Sequence, residues 1–401
     1  MNAASYPEMV QALLQPEAYS HEVAGVELVE THVSYLLLTG EHVYKVKKPV
    51  DYGFLDFTTL EKRRHFCHQE VALNRRISPE VYLGVSEVRQ HQGRYTIDGA
   101  GEGPGVTVEY AVKMRQLPRQ RAMNLLLQQG LVSPEDIRRL AAKIARFHAR
   151  AATSPEIARQ GGLERVRQNI QENFDQTQRF IGACLSRETY QALAAYSEAF
   201  LAGHAPAFPR RAQEGRIRDC HGDLHTAQIF LLEPGPTPAG ASEDYDGISI
   251  IDCIEFNDRF RYCDVAEDMA FLAMDLDFHG RADLSRQFVQ DYVAASGDPG
   301  VLELLDFFKV YRAYVRGKVT AFRLEIPFRQ SLPLAGARDE LGDPQSPLSQ
   351  RGVRGDFPPD QRQLLATAQA YFALAYAYTQ GSASPTYGVA SAVASDGGTP
   401  Q

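Results

Sequence analysis

The segment CHGDLHTAQIF, residues 220–230, sets a carboxylate, Asp223, and a side-chain amide, Gln228, on one short loop with four residues between them. The run AQIFLLE at 227–233 is apolar, and so is ISIID at 248–252. Between them PGPTPAGASEDYDG holds too much Pro, Gly, Ser and Asp for regular structure, so the two runs read as a β-hairpin with a long tip. Antiparallel pairing returns Asp252, at the end of the second strand, to the start of the first, beside Asp223 and Gln228. A carboxylate at the head of such a loop can orient a hydroxyl and accept its proton. An amide oxygen one loop-turn later, with a second carboxylate, can hold a magnesium ion on phosphate groups. Taken singly, Asp223 is a common turn former and Asp252 a strand-end cap; the constellation carries the reading.

Upstream, VELVE, VSYLLL and HVYKVKK, within 26–48, are rich in β-branched and aromatic residues and read as strands, with a tight turn at 39–41. A helical segment covers about Thr58 to Ile77, and VYLGVSEV, RYTID and VTVEYAVKM are further strands. Residues 1–113 are therefore expected to form a nucleotide-binding lobe, a small antiparallel sheet interrupted by one helix. Lys45 and Lys47 lie two apart on one strand face. Phe66, Glu70, Leu73 and Ile77 share a helical face, and an acid in an apolar stripe requires a partner because a lone buried carboxylate is costly. The pair is assigned as Lys45 and Glu70, with Lys47 competing.

From Leu117 onward helical periodicity dominates, most clearly in EDIRRLAAKIARFHARA, RETYQALAAYSEAFLAG and VLELLDFFKVYRAYVRGKVTAFR. Residues 331–360 read as a polar, Pro/Gly-rich connection, RQLLATAQAYFALAYAYTQ as a last helix, and 381–401 as a disordered tail. The expected architecture is α+β and two-lobed, with a larger, mainly helical C-terminal lobe over 114–380.

The 401 residues carry 42 basic and 50 acidic side chains, a formal charge of −8, so no broad attraction to nucleic acid or anionic membrane is expected. The N-terminus has no basic region leading into a long apolar core, and no apolar stretch is long enough to cross a bilayer; a soluble, cytoplasmic protein is expected. Five cysteines, an odd number without a C-x-x-C pair, read as reduced thiols. His221 and His225 flank Asp223 without a third His or Cys at ligand spacing, which assigns them structural hydrogen bonding.

HGDLHTAQIF, followed by IIDCIEFND and RYCDVAEDMAFLAMDLD, resembles the aminoglycoside phosphotransferase/choline kinase superfamily, whose fold is protein-kinase-like. The stretch from ETHVSYLLL to ISPEVYLGV resembles a group of bacterial phosphotransferase-like proteins that often carry an extra P-loop kinase domain. The resemblance covers about residues 20–330. It implies ATP and Mg2+ as cofactors and transfer of the γ-phosphoryl group to a hydroxyl of a small molecule. It also implies Asp223 as catalytic base, Gln228 and Asp252 as metal ligands, and Asp268 as a buried acid bracing the catalytic loop. The chain departs from the pattern in having Gln228 where asparagine is usual and in lacking a Gly-rich lid. The turn ETHVS at 30–34 would then cover the phosphates through Thr31, Ser34 and backbone amides. No G-x-x-x-x-G-K-[ST] is present, so no P-loop domain is expected; RGKVT at 316–320 lacks the upstream glycine and strand. Two alternatives use the same residues, a nucleotide-binding regulatory pseudokinase and nucleotidyl transfer to a protein. The acceptor is expected to be anionic or neutral, because Lys309, Arg312 and Arg316 fall at i, i+3 and i+7 and suit carboxylate or phosphate. The alternative for that stripe is a solvated, salt-bridged face.

Overall fold

The computed structural model describes residues 6–99, 105–233, 237–241, 245–324 and 359–381. Nearly all of the expected connection at 331–360, and all of the tail beyond 381, lie outside the described residues. Six strands form one antiparallel sheet: β1 (Glu27–Glu30), β2 (Ser34–Leu38), β3 (His42–Lys47), β4 (Tyr82–His91), β5 (Arg94–Ile97) and β6 (Val106–Arg115), in the order β1-β2-β3-β6-β4-β5. β3 is hydrogen-bonded on both sides. Its side chains alternate. Tyr44 and Val46 pack with Leu37, Val88 and Ala111 and with Leu13 of a short helix α1 (Glu8–Leu13), whereas Val43 packs with Cys67 and Val71 of α2 (Leu60–Asn74). Lys45 and Lys47 share the parity of Val43 and so face α2. The Thr59 side chain caps α2 by accepting the Lys62 N–H. The helix ends at Asn74, short of Ile77, where the chain turns into the connection to β4.

The second lobe comprises α3 (Met123–Gln128), α4 (Pro134–Arg150), α5 (Pro155–Gln160), α6 (Leu163–Thr177), α7 (Arg187–Gly203), α8 (Ala207–Gln213), α9 (Val265–Phe278), α10 (Ala282–Ser296), α11 (Val301–Arg323) and α12 (Pro359–Thr379). A capping box between Ser133 and Asp136 starts α4. α9 is buried from Val265 through Leu276, so it has no solvent face to imprint a polar stripe on its sequence. Two short antiparallel pairs lie against these helices: β7 (Ile217–Asp219) with β10 (Tyr262–Asp264), and β8 (Ile229–Leu231) with β9 (Ile248–Ile250). The β8–β9 register, Ile229 opposite Ile250, is the hairpin the apolar runs implied. The β7–β10 pair is too short to leave a periodicity. RGKVT lies inside α11. The molecule has a two-lobed, protein-kinase-like fold, with a small antiparallel-sheet lobe around one inserted helix and a larger, mainly helical lobe. Among the described residues no helix is long and apolar enough to cross a membrane.

α11 and α12 meet at Gly317, where an added Cβ would lie 2.9 Å from ring atoms of the buried Phe372. Gly317→Ala should therefore destabilise the protein, although alanine is favoured in a helix by about 1 kcal/mol. Overpacking of about 1–3 kcal/mol exceeds that gain. Urea denaturation checks the sign, and the loss should vanish when Phe372→Leu is introduced as well. A more stable Gly317→Ala protein would disprove the close approach.

Candidate active site

Gly222 has φ +84°, and a Cβ on it would lie 2.7 Å from the Phe260 carbonyl oxygen, so glycine alone lets the 220–228 loop pass this close. Asp268 of α9, fully buried, accepts the backbone N–H groups of His221 (3.0 Å) and Gly222 (2.8 Å) and bonds His148 Nε2 of α4 (3.0 Å). Burial pushes the Asp268 pKa up, but His148 and the loop hydrogen bonds win and hold it below the ordinary 3.8. Two turns along α9, Asp275 accepts the Thr226 N–H (2.9 Å) and hydroxyl (2.6 Å). One buried helix thus pins both ends of the loop. The sequence reading named Asp268 and missed Asp275, which follows it after the apolar stretch MAFLAM.

Both flanking histidines hydrogen-bond within the loop. His221 Nδ1 accepts the Asp223 N–H (3.3 Å), which assigns the proton to Nε2, 3.0 Å from the Ile251 carbonyl. His225 Nδ1 accepts the Ala227 N–H (3.3 Å), leaving Nε2–H 3.4 Å from Asp223 Oδ2. Burial raises the Asp223 pKa, yet His225, Arg316 and His221 hold it below the ordinary value. The donor groups His148, Cys220 and Asp268 lie within 4.8 Å of one another, buried and engaged in hydrogen bonds behind the loop. All five cysteines are free and buried, and burial pushes Cys67 and Cys253 up to about 12, which suits inert thiols.

The β8–β9 hairpin brings Asp252 to Gln228, whose Nε2 donates to Asp252 Oδ2 at 3.2 Å. Asp252 adopts φ +64°, a left-handed conformation that Asp tolerates better than most residues. Its N–H donates to the Tyr82 hydroxyl (2.9 Å), the Ile250 N–H to Ser78 Oγ (2.8 Å) and the Cys253 N–H to Asn74 Oδ1 (2.9 Å). The connection from α2 to β4 therefore fastens the strand that carries Asp252.

Glu70 is shared. Lys45 Nζ lies 2.8 Å from its Oε1 and Lys47 Nζ 2.6 Å from its Oε2. The second partners separate the two lysines: Lys45 reaches Asp252 Oδ1 at 2.6 Å, while Lys47 reaches Glu255. Glu70 is 0% and Lys47 1% exposed, whereas the Asp252 side chain is 41% exposed and can accept a ligand. Burial alone would raise the Glu70 pKa, but the two ammonium groups hold it below the ordinary 4.5. Burial raises Glu255, opposed by Lys47. Glu255 escaped the sequence reading; its signal is an acid inside the apolar run IDCIEF. The 31–33 turn joins β1 to β2. The Thr31 hydroxyl closes it by accepting the Ser34 N–H (2.9 Å), and the buried Ser34 hydroxyl has no partner among the described residues.

The expected cationic stripe is corrected. Lys309 pairs with Asp277 (2.5 Å), and Arg312 pairs with Glu267 (2.9 Å) and donates to the Gly222 carbonyl (3.0 Å). Both neutralise acids of α9, because α11 packs on α9 along that face. Arg312 meets the loop only at its backbone, whereas Arg316 places a guanidinium nitrogen 3.5 Å from the His225 side chain at Nε2.

No family model matches the chain. It is 33% identical over 312 residues, 78% of its length, to an uncharacterized protein of Mycobacterium tuberculosis, and equally so to one of Mycobacterium bovis. The chain spans 57% of the length of each. Among solved structures, the GDP complex of wild-type aminoglycoside 2'-phosphotransferase-IIIa aligns with a TM-score of 0.46 and 14% identity over 88% of this chain and 94% of that one. A choline/ethanolamine kinase family protein from Mesorhizobium loti aligns with a TM-score of 0.46 and 12% identity over 93% of this chain and 98% of that one.

Proposed function

We propose that the chain transfers the γ-phosphoryl group of ATP to a hydroxyl of a small molecule, with Asp223 acting on the acceptor and with Gln228 and Asp252 as magnesium ligands. The observation that carries this reading is Lys45, which bridges Glu70 at 2.8 Å and Asp252 at 2.6 Å across 207 residues of sequence. A strand lysine, a helix glutamate that holds it and an aspartate from the second lobe are the phosphate- and metal-handling groups of protein-kinase-like transfer.

The donor set suits magnesium, a hard cation that prefers oxygen: an open carboxylate at Asp252 and an amide at Gln228, long enough to touch it. When bound, the ion would neutralise phosphate charge. The protein's own groups do the rest. Lys45, kept extended by Glu70, presents an ammonium to phosphate oxygens. Asp223, ionised at neutral pH and steadied by His225, accepts a hydrogen bond from the acceptor hydroxyl and takes its proton as the new O–P bond forms and the bond to the β–γ bridging oxygen breaks, releasing ADP. The buried Ser34 hydroxyl, without a partner among the described residues, supplies a donor from the small lobe, while the Thr31 and Val33 N–H groups are engaged inside the turn.

Asp223→Asn should lower turnover by about 10²–10⁴-fold while ATP still binds, because the carboxylate acts on the acceptor. Undiminished turnover would remove Asp223 from the mechanism. Asp252→Ala should abolish the magnesium dependence of ATP binding, read by calorimetric titration with and without the ion; equal affinities for wild type and variant would refute the metal assignment. Mass spectrometry of the product should show the gain of one phosphate, and a gained nucleotide would replace this reading with nucleotidyl transfer.

A further inference from the structure

A series of contacts runs from the small lobe across the 256–260 loop to α6 and α11. It begins at the β1–β2 turn, where the Tyr52 hydroxyl approaches the His32 carbonyl at 3.5 Å. Tyr52 stacks on Phe54 (6.1 Å), and Phe54 meets Phe260 (6.5 Å) of the loop lying against Gly222. Arg259 crosses from that loop to α6 and grips Glu172 through two N–H groups at 2.9 and 2.6 Å. The next residue of α6, Asn173, accepts from Lys318 of α11 at 2.5 Å. Five residues further Arg323 ends α11, and after burial its charge and that of Lys48 lower the His32 pKa.

The charges on this rim are unequal. Glu172 is already held bidentately by Arg259. Lys318 bonds two amide oxygens, Asn173 Oδ1 and Gln176 Oε1 (2.9 Å). Among the described residues neither Lys318, Arg316 nor Arg323 has a carboxylate within ion-pair distance. Three buried donors, Arg259 Nε, Arg316 Nε and Asn173 Nδ2, have no acceptor among the described residues. The Asn173 amide cannot turn to relieve this, because its oxygen faces an ammonium group. Unpaired buried donors are costly, and an acceptor-rich partner would relieve them. Burial lowers the Lys318 pKa to about 8, which an anion would reverse. At the same place Tyr52 and Phe54, 45% and 44% exposed, offer an aromatic surface.

We infer that this rim binds the acceptor of the transfer proposed above, and that the acceptor is a hydroxylated small molecule bearing a carboxylate or phosphate, held by Lys318 and Arg323 with its apolar part on Tyr52 and Phe54. Its hydroxyl then points down to Asp223, past Arg316. The inference rests on the transferase reading for the hydroxyl's fate, and on the rim alone for the anion.

The test fills the nucleotide cleft of the full chain with a non-hydrolysable ATP analogue and magnesium. Glycerate, glycerol 3-phosphate, glucose 6-phosphate, glycerol, choline and kanamycin are then titrated calorimetrically. At least one anion should bind, and glycerol, choline and kanamycin should bind more weakly or not at all. Lys318→Met combined with Arg323→Gln should weaken the anion at least about tenfold while analogue affinity is retained. Lys318→Arg should restore part of the loss, which separates charge from a folding defect. Binding of choline or kanamycin in preference to every anion, absence of anion binding, or anion affinity indifferent to the double substitution would each overturn the inference. If the analogue itself fails to bind, the transferase reading falls, and the same anion titrations on the nucleotide-free chain still judge the rim.

Discussion

Glu70 is a carboxylate sealed from water, and the architecture around the cleft follows from the need to neutralise it. Two lysines on one face of β3 do so, and each carries a second acid from the other lobe, Asp252 for Lys45 and Glu255 for Lys47. The lobes are thereby joined by alternating charges. Removing one member of such a buried set leaves an uncompensated charge, which costs about 3–5 kcal/mol. Two lysines face three acids, and burial raises the Glu255 pKa accordingly. The two lysines are not equivalent. Lys47 is sealed with Glu255, whereas Lys45 rests on an acid open to solvent.

The helical lobe applies the same constraint to α9. Its acids point in different directions, and each recruits another element. Asp268 takes the 220–228 loop and α4, Glu267 and Asp277 take Arg312 and Lys309 of α11, and Asp275 takes Thr226 and Tyr371 of α12. A second tyrosine of α12, Tyr378, reaches Asp277 at 2.6 Å. The last described helix is therefore coupled through Asp275 to the loop that carries Asp223. With the acids of α9 already neutralised, Arg316, Lys318 and Arg323, farther along α11, have no carboxylate within ion-pair distance among the described residues. A chain of net charge −8 thus keeps a locally cationic cleft mouth.

Much of this was legible in the residues themselves. The period-2 strands, the long amphipathic helices and the β8–β9 hairpin follow from local chemistry, and so does the return of Asp252 to Gln228, because strand register is set by the apolar runs and the turn between them. Lys45, Lys47 and Glu70 were readable as a set, since a buried acid demands a base. What the sequence could not distinguish was which lysine would take which second acid. That depends on Asp252 and Glu255 arriving from more than two hundred residues away, and on the left-handed backbone at Asp252 that aims its carboxylate at Lys45. Nor could it show that Lys309 and Arg312 are spent inside the fold while Lys318 and Arg323 stand at the rim. Helical periodicity tells which residues share a face and is silent on what packs against it. α9, buried all round, left no pattern to announce itself. Local sequence determined the elements and the chemical groups, because those depend on near neighbours. Tertiary packing alone decided which charges were cancelled and by which partner, because neutralisation depends on distance in space.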